Sequence, residues 1–279
     1  MQRLSQIRHF ALDLDGTLYL GGRVFPWTVP FLDHLEELGI GHTFFTNNSS
    51  RSTREYVEHL RKMGIDATAD DIYSSTHSTL DYLRQERPRV RRLFVLGTPG
   101  LQQEFAENGF ALVGDAVGGG SGDEPDAVIV GFDTTLTFAR TSRAAYWLAR
   151  GKPFIATHPD RICPTDQPTV LPDCAAICAL LTTATGRTPD AVLGKPSAGM
   201  LEGVRKRHGI AAHEIAVVGD RLYTDMAMAR AAGALGILVL SGETTAEQVE
   251  CDSPAPDLVV ANVGELGRLL PQRAEAASC

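Results

Sequence analysis

The sequence predicts an α/β protein on a mostly parallel sheet, with a second α/β domain inserted into it. Short apolar, β-branched runs alternate with segments of helical periodicity along the chain. Several of those runs end in polar residues just before a turn or helix start, the edge where open α/β sheets keep their sites. The length of 279 residues and hydrophobic content of 43% suit two compact units with full cores.

The first strand, around Phe10 and Leu12, ends in Asp13-Leu14-Asp15-Gly16-Thr17, with Gly16 releasing the backbone from the strand. Alone, Asp-Gly is an ordinary turn dipeptide. Phe31, Leu32, Leu35 and Leu38 then recur at helical spacing up to Gly39. His42 to Phe45 is the next strand, followed by the hydroxyls and amides of Thr46-Asn47-Asn48-Ser49-Ser50. Ser52 and Glu55 form a capping-box pattern ahead of a helix that Gly64 closes. The polar cluster thus lies before a helix start, where free N–H groups favour an anion.

Beyond Thr76 to Thr79 a second α/β series begins. Val90 to Leu96, Ala127 to Val130 and Phe154 to Thr157 read as strands; Thr98 and Thr137 open helices between them. The glycine run from Gly118 to Asp123 follows no clear strand and enters no helix, so it reads as a connection and not as a phosphate cradle. Thr157-His158-Pro159-Asp160-Arg161 is a polar proline turn after a strand, and Asp173 caps a helix that ends at Gly186. Cys174 and Cys178 share a face with Leu181 and read as core.

Val192-Leu193-Gly194-Lys195-Pro196-Ser197 fails as a nucleotide-binding P-loop, because Pro189 stands where the first glycine is needed and Pro196 follows the lysine. Instead, Lys195 leaves a short strand and Pro196 starts a helix that stops at Gly209. Ile215 to Val218 is a strand ending in Gly219-Asp220, with Asp225 ahead of an alanine-rich helix; strands at Gly236 to Leu240 and Asp257 to Val260 complete the series. The predicted boundaries are a core of 1–78 and 192–279, interrupted by an inserted domain over 79–191.

The net charge of −8 and the absence of a dense Lys/Arg run exclude a protein built to hold polymeric nucleic acid. Five cysteines with no Cys-x-x-Cys pair suit a reducing, cytoplasmic interior. No apolar run reaches the ~18 residues of a membrane helix and no cleavable segment opens the sequence, so a soluble, unprocessed protein is expected.

Four polar groups, Asp13/Asp15, Thr46/Asn47, Lys195 and Asp220/Asp225, are thereby assigned to the ends of four strands of one sheet. Several carboxylates near one point would not all stay ionised without a divalent cation. Oxygen ligands with no clustered His or Cys select a hard ion, Mg²⁺ first. A lysine and a hydroxyl beside it suit a phosphate.

Asp13-Leu14-Asp15-Gly16-Thr17, Thr46-Asn47-Asn48, Gly194-Lys195-Pro196 and Gly219-Asp220 with Asp225, in this order, resemble the four motifs of the haloacid dehalogenase (HAD) superfamily. Phe44 to Ser50 and the pattern from Val130-Gly131-Phe132-Asp133 to Pro159-Asp160 further resemble its NagD-like phosphatases, and the resemblance covers nearly the whole chain. It implies a Rossmann-like core with an α/β cap between the second and third motifs. It also implies an Mg²⁺-dependent phosphatase acting on phosphate monoesters of small metabolites. Asp13 would be the nucleophile, forming an aspartyl-phosphate. Asp15 would be the acid and base, its carboxyl holding a proton above the free-aspartate pKa of about 3.9.

By the same resemblance, Thr46 and the Asn47 backbone would hold the transferring phosphoryl oxygens, with Lys195 neutralising their charge. Asp13, the backbone carbonyl of Asp15, and Asp220 would bind Mg²⁺, and Asp225 would orient that shell or Lys195. Asp133, His158 and Asp160 are candidates for selecting the substrate from the cap. His158 stands where many relatives carry Asn, and Pro172-Asp173-Cys174 replaces a Gly-rich turn, so no relative's substrate carries over. A homodimer through the caps is compatible with the resemblance. Two other readings stay open: a phosphometabolite sensor without turnover, and phosphoryl transfer to an acceptor other than water.

Overall fold

The computed structural model describes residues 3–114, 124–165, 167–251 and 255–270, so the glycine run from Gly118 to Asp123 lies outside the described residues. The chain divides into two compact units, one of Met1–Phe45, Leu60–Asp71 and Pro196–Cys279, the other of Thr46–His59 and Ile72–Lys195. The architecture is α/β with mostly parallel strands, as expected.

In the first unit the strands Leu258–Val260, Leu235–Val239, Ile215–Gly219, His9–Leu12 and Gly41–Thr46 lie side by side in that order, all parallel. Phe10, Leu12, Ile215, Val218, Ile237 and Leu238 are wholly buried, the unbroken apolar run of strands covered on both faces. Register brings the strand ends to one edge: Leu12 lies opposite both Val218 and Phe44, and Gly219 opposite Leu238, so these strands finish nearly level. The helix predicted up to Gly39 runs from Thr28 to Glu37, and Gly39 comes just after it with φ of 66°.

The second unit carries its own parallel sheet in the order Ala191–Val192, Phe154–Ala156, Ala127–Val130, Arg92–Leu96, Ala111–Leu112. Alternate residues of these strands face opposite ways. Phe94, Leu96, Val128 and Val130 pack with Trp147, Cys174, Cys178 and Leu181 of the helices Phe138–Ala149 and Cys174–Thr185. Leu93, Val95, Ala127 and Ile129 pack with Leu80 and Leu83 of Ser75–Glu86 and with Leu101 and Phe105 of Pro99–Glu107. The two cysteines are core residues, as their spacing suggested. Capping chemistry is also as read: Ser52 and Glu55 exchange backbone-to-side-chain bonds of 2.8 and 3.3 Å, and Thr98 and Thr137 cap their helices.

One strand differs from expectation. Ala191–Val192 pairs with Phe154–Ala156, so the strand that leads to Lys195 belongs to the second unit's sheet and not to the one that carries Asp13. A two-residue strand has no periodicity from which its neighbour could be read.

At the start of the first unit's strands, His9 is buried, its Nε2 bonded to Thr43 Oγ1 at 2.8 Å, while the His208 ring lies 4.3 Å away. The approach is close enough that a Cβ on Gly41 would stand 2.6 Å from His9 Nδ1. Burial, and after it the neighbouring His208 and His42, pushes the His9 pKa down to about 3; burial also lowers His42 and His208. The unfolded chain therefore takes up protons below its ordinary histidine pKa of about 6.5 that the folded chain refuses. The stability from keeping His9 neutral is complete above that value and is lost as pH falls toward 3. Melting temperature monitored by circular dichroism should drop between neutral pH and about pH 4. His9→Gln should flatten that slope, and an unchanged slope would refute the assignment.

Candidate active site

The first unit gathers three carboxylates. Asp13 comes directly after the strand His9–Leu12 and donates its N–H to Val218 O at 2.8 Å; Asp220 comes directly after Ile215–Gly219, so the ladder itself sets the two acids side by side. Asp225 enters from the widened, π-type turn Leu222–Met226, and the alanine-rich helix expected after it runs from Ala227 to Ala232. Each of the three offers an oxygen within 4.8 Å of the others. Asp225 Oδ2 also accepts from Arg221 N at 3.3 Å and from Thr224 Oγ1 at 3.2 Å.

Asp220 is 3% exposed. Its Oδ2 accepts from Glu243 N at 2.7 Å, but its Oδ1 is buried with no hydrogen-bond partner among the described residues. Burial first, then the charges of Asp13 and Asp225, push its pKa up to about 8. An orphaned carboxylate oxygen facing two further acids fits a divalent cation, which supplies the missing partner and offsets the charge. With oxygen donors and neither His nor Cys in the group, that cation is a hard one.

Two glycines allow this geometry. Gly16, at φ of 81°, bends the chain so that its N–H meets Tyr19 O at 2.8 Å, which places Asp15 on the turn. A Cβ there would collide with Asp220 Oδ2, and one on Gly242 would collide with the same atom. The loop from Ser241 to Glu243, which also binds Gly16 O through Ser241 Oγ at 2.7 Å, was not singled out from sequence. Its only signal is a glycine just past a parallel strand's end, where close backbone approach is common.

The second unit holds the remaining groups. Thr46 ends the strand Gly41–Thr46, and its Oγ1 accepts from Asn48 N at 3.1 Å. The Asn47 side chain accepts from Lys195 N at 2.7 Å and donates to Lys195 O and Asp160 Oδ1, both at 3.0 Å. Ser75, unremarked in the sequence, bonds Asn47 O at 2.6 Å. Asn47 and Lys195 are 5% and 3% exposed, so the structure brings the second and third motifs together in a buried contact.

His158 is wholly buried, with Nε2 at 2.9 Å from Asp173 Oδ1 and Nδ1 at 2.9 Å from Thr157 Oγ1. Burial works against its charge, but the Cys174 sulfur and the Asp173 carboxylate outweigh it and hold the imidazole pKa at about 9. Asp133 is also engaged internally: one oxygen pairs with Arg140 at 2.8 Å and the other accepts from Thr135 N and Oγ1. Arg140 passes on to Val95 O and Gly97 O. Neither His158 nor Asp133 keeps an unengaged polar atom for a leaving group, and among the cap candidates Asp160 alone is partly exposed.

Residues 10–111 match the family of haloacid dehalogenase-like hydrolases and residues 192–266 a second, HAD-hydrolase-like one. Over 253 residues, 91% of this chain and 94% of the other, the sequence is 30% identical to an acid sugar phosphatase of Staphylococcus aureus. The fold superposes on a 4-nitrophenylphosphatase from Thermotoga maritima with a TM-score of 0.87 and 39% identity, covering 95% and 98% of the two chains. A glycerol phosphate phosphatase from Mycobacterium tuberculosis, in complex with magnesium, gives 0.84 and 30%, covering 95% and 78%. The chain belongs to the haloacid dehalogenase superfamily, among its NagD-like phosphatases.

Removing one partner of a buried ion pair costs about 3–5 kcal/mol. Asp133→Ala should therefore lower the melting temperature markedly while leaving the ranking of phosphate esters by kcat/KM unchanged. A changed ranking at constant stability would return Asp133 to substrate selection.

Proposed function

We propose that this protein hydrolyses phosphate monoesters of small metabolites by way of an aspartyl-phosphate on Asp13, with Mg²⁺ as its cation. The observation that carries the proposal is the Asp13, Asp220, Asp225 group with its orphaned Asp220 oxygen, set at the ends of parallel strands. The enzyme class, phosphoric monoester hydrolase, is that of the family.

In this reading an Asp13 oxygen attacks phosphorus and the ester oxygen leaves. Asp15, on the adjacent turn, gives that oxygen its proton and then takes one from the water that opens the aspartyl-phosphate, ending with Asp13 free and inorganic phosphate released. Two displacements replace one, and each needs a proton moved at the same place. Thr46 Oγ1 and the Asn47 N–H hold oxygens of the transferring group, and Lys195 neutralises charge on them. Asp13, the Asp15 carbonyl, Asp220 and Asp225 are the groups that would hold the cation. Bound there, Mg²⁺ would supply charge stabilisation for the phosphoryl oxygens and relieve repulsion among the acids.

The relatives' names cover a sugar phosphate, glycerol phosphate and nitrophenyl phosphate, so we infer selection by the phosphate first and by the leaving group second. No helix of the described residues is long and apolar enough to cross a membrane, which accords with a substrate met in water. We further propose a cytoplasmic location; the homodimer remains an inference from the family resemblance.

With Mg²⁺ and 4-nitrophenyl phosphate, Asp13→Asn should reduce phosphate release by about 10³-fold or more and abolish the acid-stable phosphoenzyme trapped by quenching. Asp15→Asn should still form phosphoenzyme from activated aryl esters but turn over alkyl esters poorly. Full turnover in Asp13→Asn would remove the nucleophile assignment.

The cation makes a separate prediction. Mg²⁺ at about 100 times its Kd should stabilise the fold by about 2.7 kcal/mol, read as a rise in melting temperature that chelation reverses. Gly242→Ala, whose methyl group would displace Asp220, should lose that rise, and a retained rise would place the ion elsewhere.

A further inference from the structure

Lys195 is defined in its motif by its ammonium group, but what fixes its backbone lies in a different part of the sequence. The Asn47 carboxamide meets Lys195 as a neighbouring strand would: Oδ1 accepts from the Lys195 N–H at 2.7 Å and Nδ2 donates to the Lys195 carbonyl at 3.0 Å. Gly194, directly before it, has φ of 74°, and a Cβ there would stand 2.6 Å from Asn47 Oδ1 and 2.9 Å from the His158 Cβ. Asn47 and His158 therefore form the wall against which the Gly194-Lys195 turn is laid.

A carboxamide can also be placed the other way round, with nitrogen and oxygen exchanged. One group here decides between the two placements. Asp160 Oδ1 accepts from the second hydrogen of Asn47 Nδ2 at 3.0 Å. Turned over, the amide would point its oxygen at both the Asp160 carboxylate and the Lys195 carbonyl, and its NH₂ at the Lys195 N–H. All three contacts would then be repulsive. A charged acceptor makes the observed placement stronger than a neutral one would.

We propose that Asn47 and Asp160 are positioning residues for Lys195: the Asn47 carboxamide clamps the lysine's backbone, and Asp160 locks the orientation of that amide. Asp160 thereby acts on phosphate affinity through Asn47 and Lys195, in place of the leaving-group contact expected from its position after a strand. The inference rests on the reading of Lys195 as a phosphate-binding group.

The experiment uses inorganic phosphate, which has no leaving group, as the probe. Its affinity is measured in the presence of Mg²⁺ by calorimetry, alongside kcat/KM for aryl, sugar and glycerol phosphates. Asp160→Ala should weaken phosphate binding about tenfold and lower kcat/KM for all three esters by a similar factor. Asp160→Asn keeps an acceptor oxygen and should recover most of the loss. In a Lys195→Met background, Asp160→Ala should add nothing further, because the group it positions is gone. Unchanged phosphate affinity in Asp160→Ala, with an altered ranking of the esters, would overturn the inference and make Asp160 a leaving-group contact. Full phosphate affinity in Lys195→Met is a different result, which would overturn the reading of Lys195 itself and the inference with it. Thermal melts of each variant control for folding; should Asp160→Ala not fold, Asp160→Ser gives the same comparison.

Discussion

Three carboxylates that repel one another are the constraint around which the first unit is arranged. Asp13, Asp220 and Asp225 each offer an oxygen within 4.8 Å of the others, and Asp220, almost fully buried, has one oxygen that no hydrogen bond satisfies among the described residues. Such a cluster opposes folding unless the rest of the unit compels it. Parallel registers that end level, an apolar sheet covered on both faces, and glycines where any side chain would strike Asp220 supply that compulsion. The charge left over is then a binding energy held ready for a cation and for the phosphate that comes with it.

The second unit solves the opposite problem, keeping polar groups satisfied in a buried place. Asn47 is bonded to Lys195 and to Asp160, and His158 to Asp173, by contacts of 2.7 to 3.0 Å in which donors meet acceptors. A network satisfied in this way is rigid, and rigidity is what a lysine needs if its charge is to meet a transition state without reorganising.

Much of this was legible in the sequence, for reasons that differ by element. The long strands were readable because Phe10-Ala11-Leu12 and Ile215 to Val218 have no solvent-facing side, and the helix ends because Gly39, Gly186 and Gly209 take up the left-handed backbone predicted for them. The four motifs were readable because their residue types have few other reasons to occur in that order. What could not be read depends on register between distant segments. The sheet to which Ala191–Val192 belongs, the approach of Gly242 to Asp220, and the loss of Asp133 to Arg140 all depend on which segments the fold sets side by side. No local pattern marks them.

Asp173 Oδ1 has two tasks, accepting the first N–H of the helix Cys174–Thr185 and pairing with His158 Nε2. The two tasks make the evolutionary history of this corner directional. A lineage could exchange His158 for an uncharged residue and keep a working helix start, since Asp173 would remain a good cap. The reverse order would leave a buried imidazole without its hydrogen-bond partner and a helix without its cap in one step. Drift at this corner should therefore begin at position 158, and descendants that differ at 173 alone should be rare.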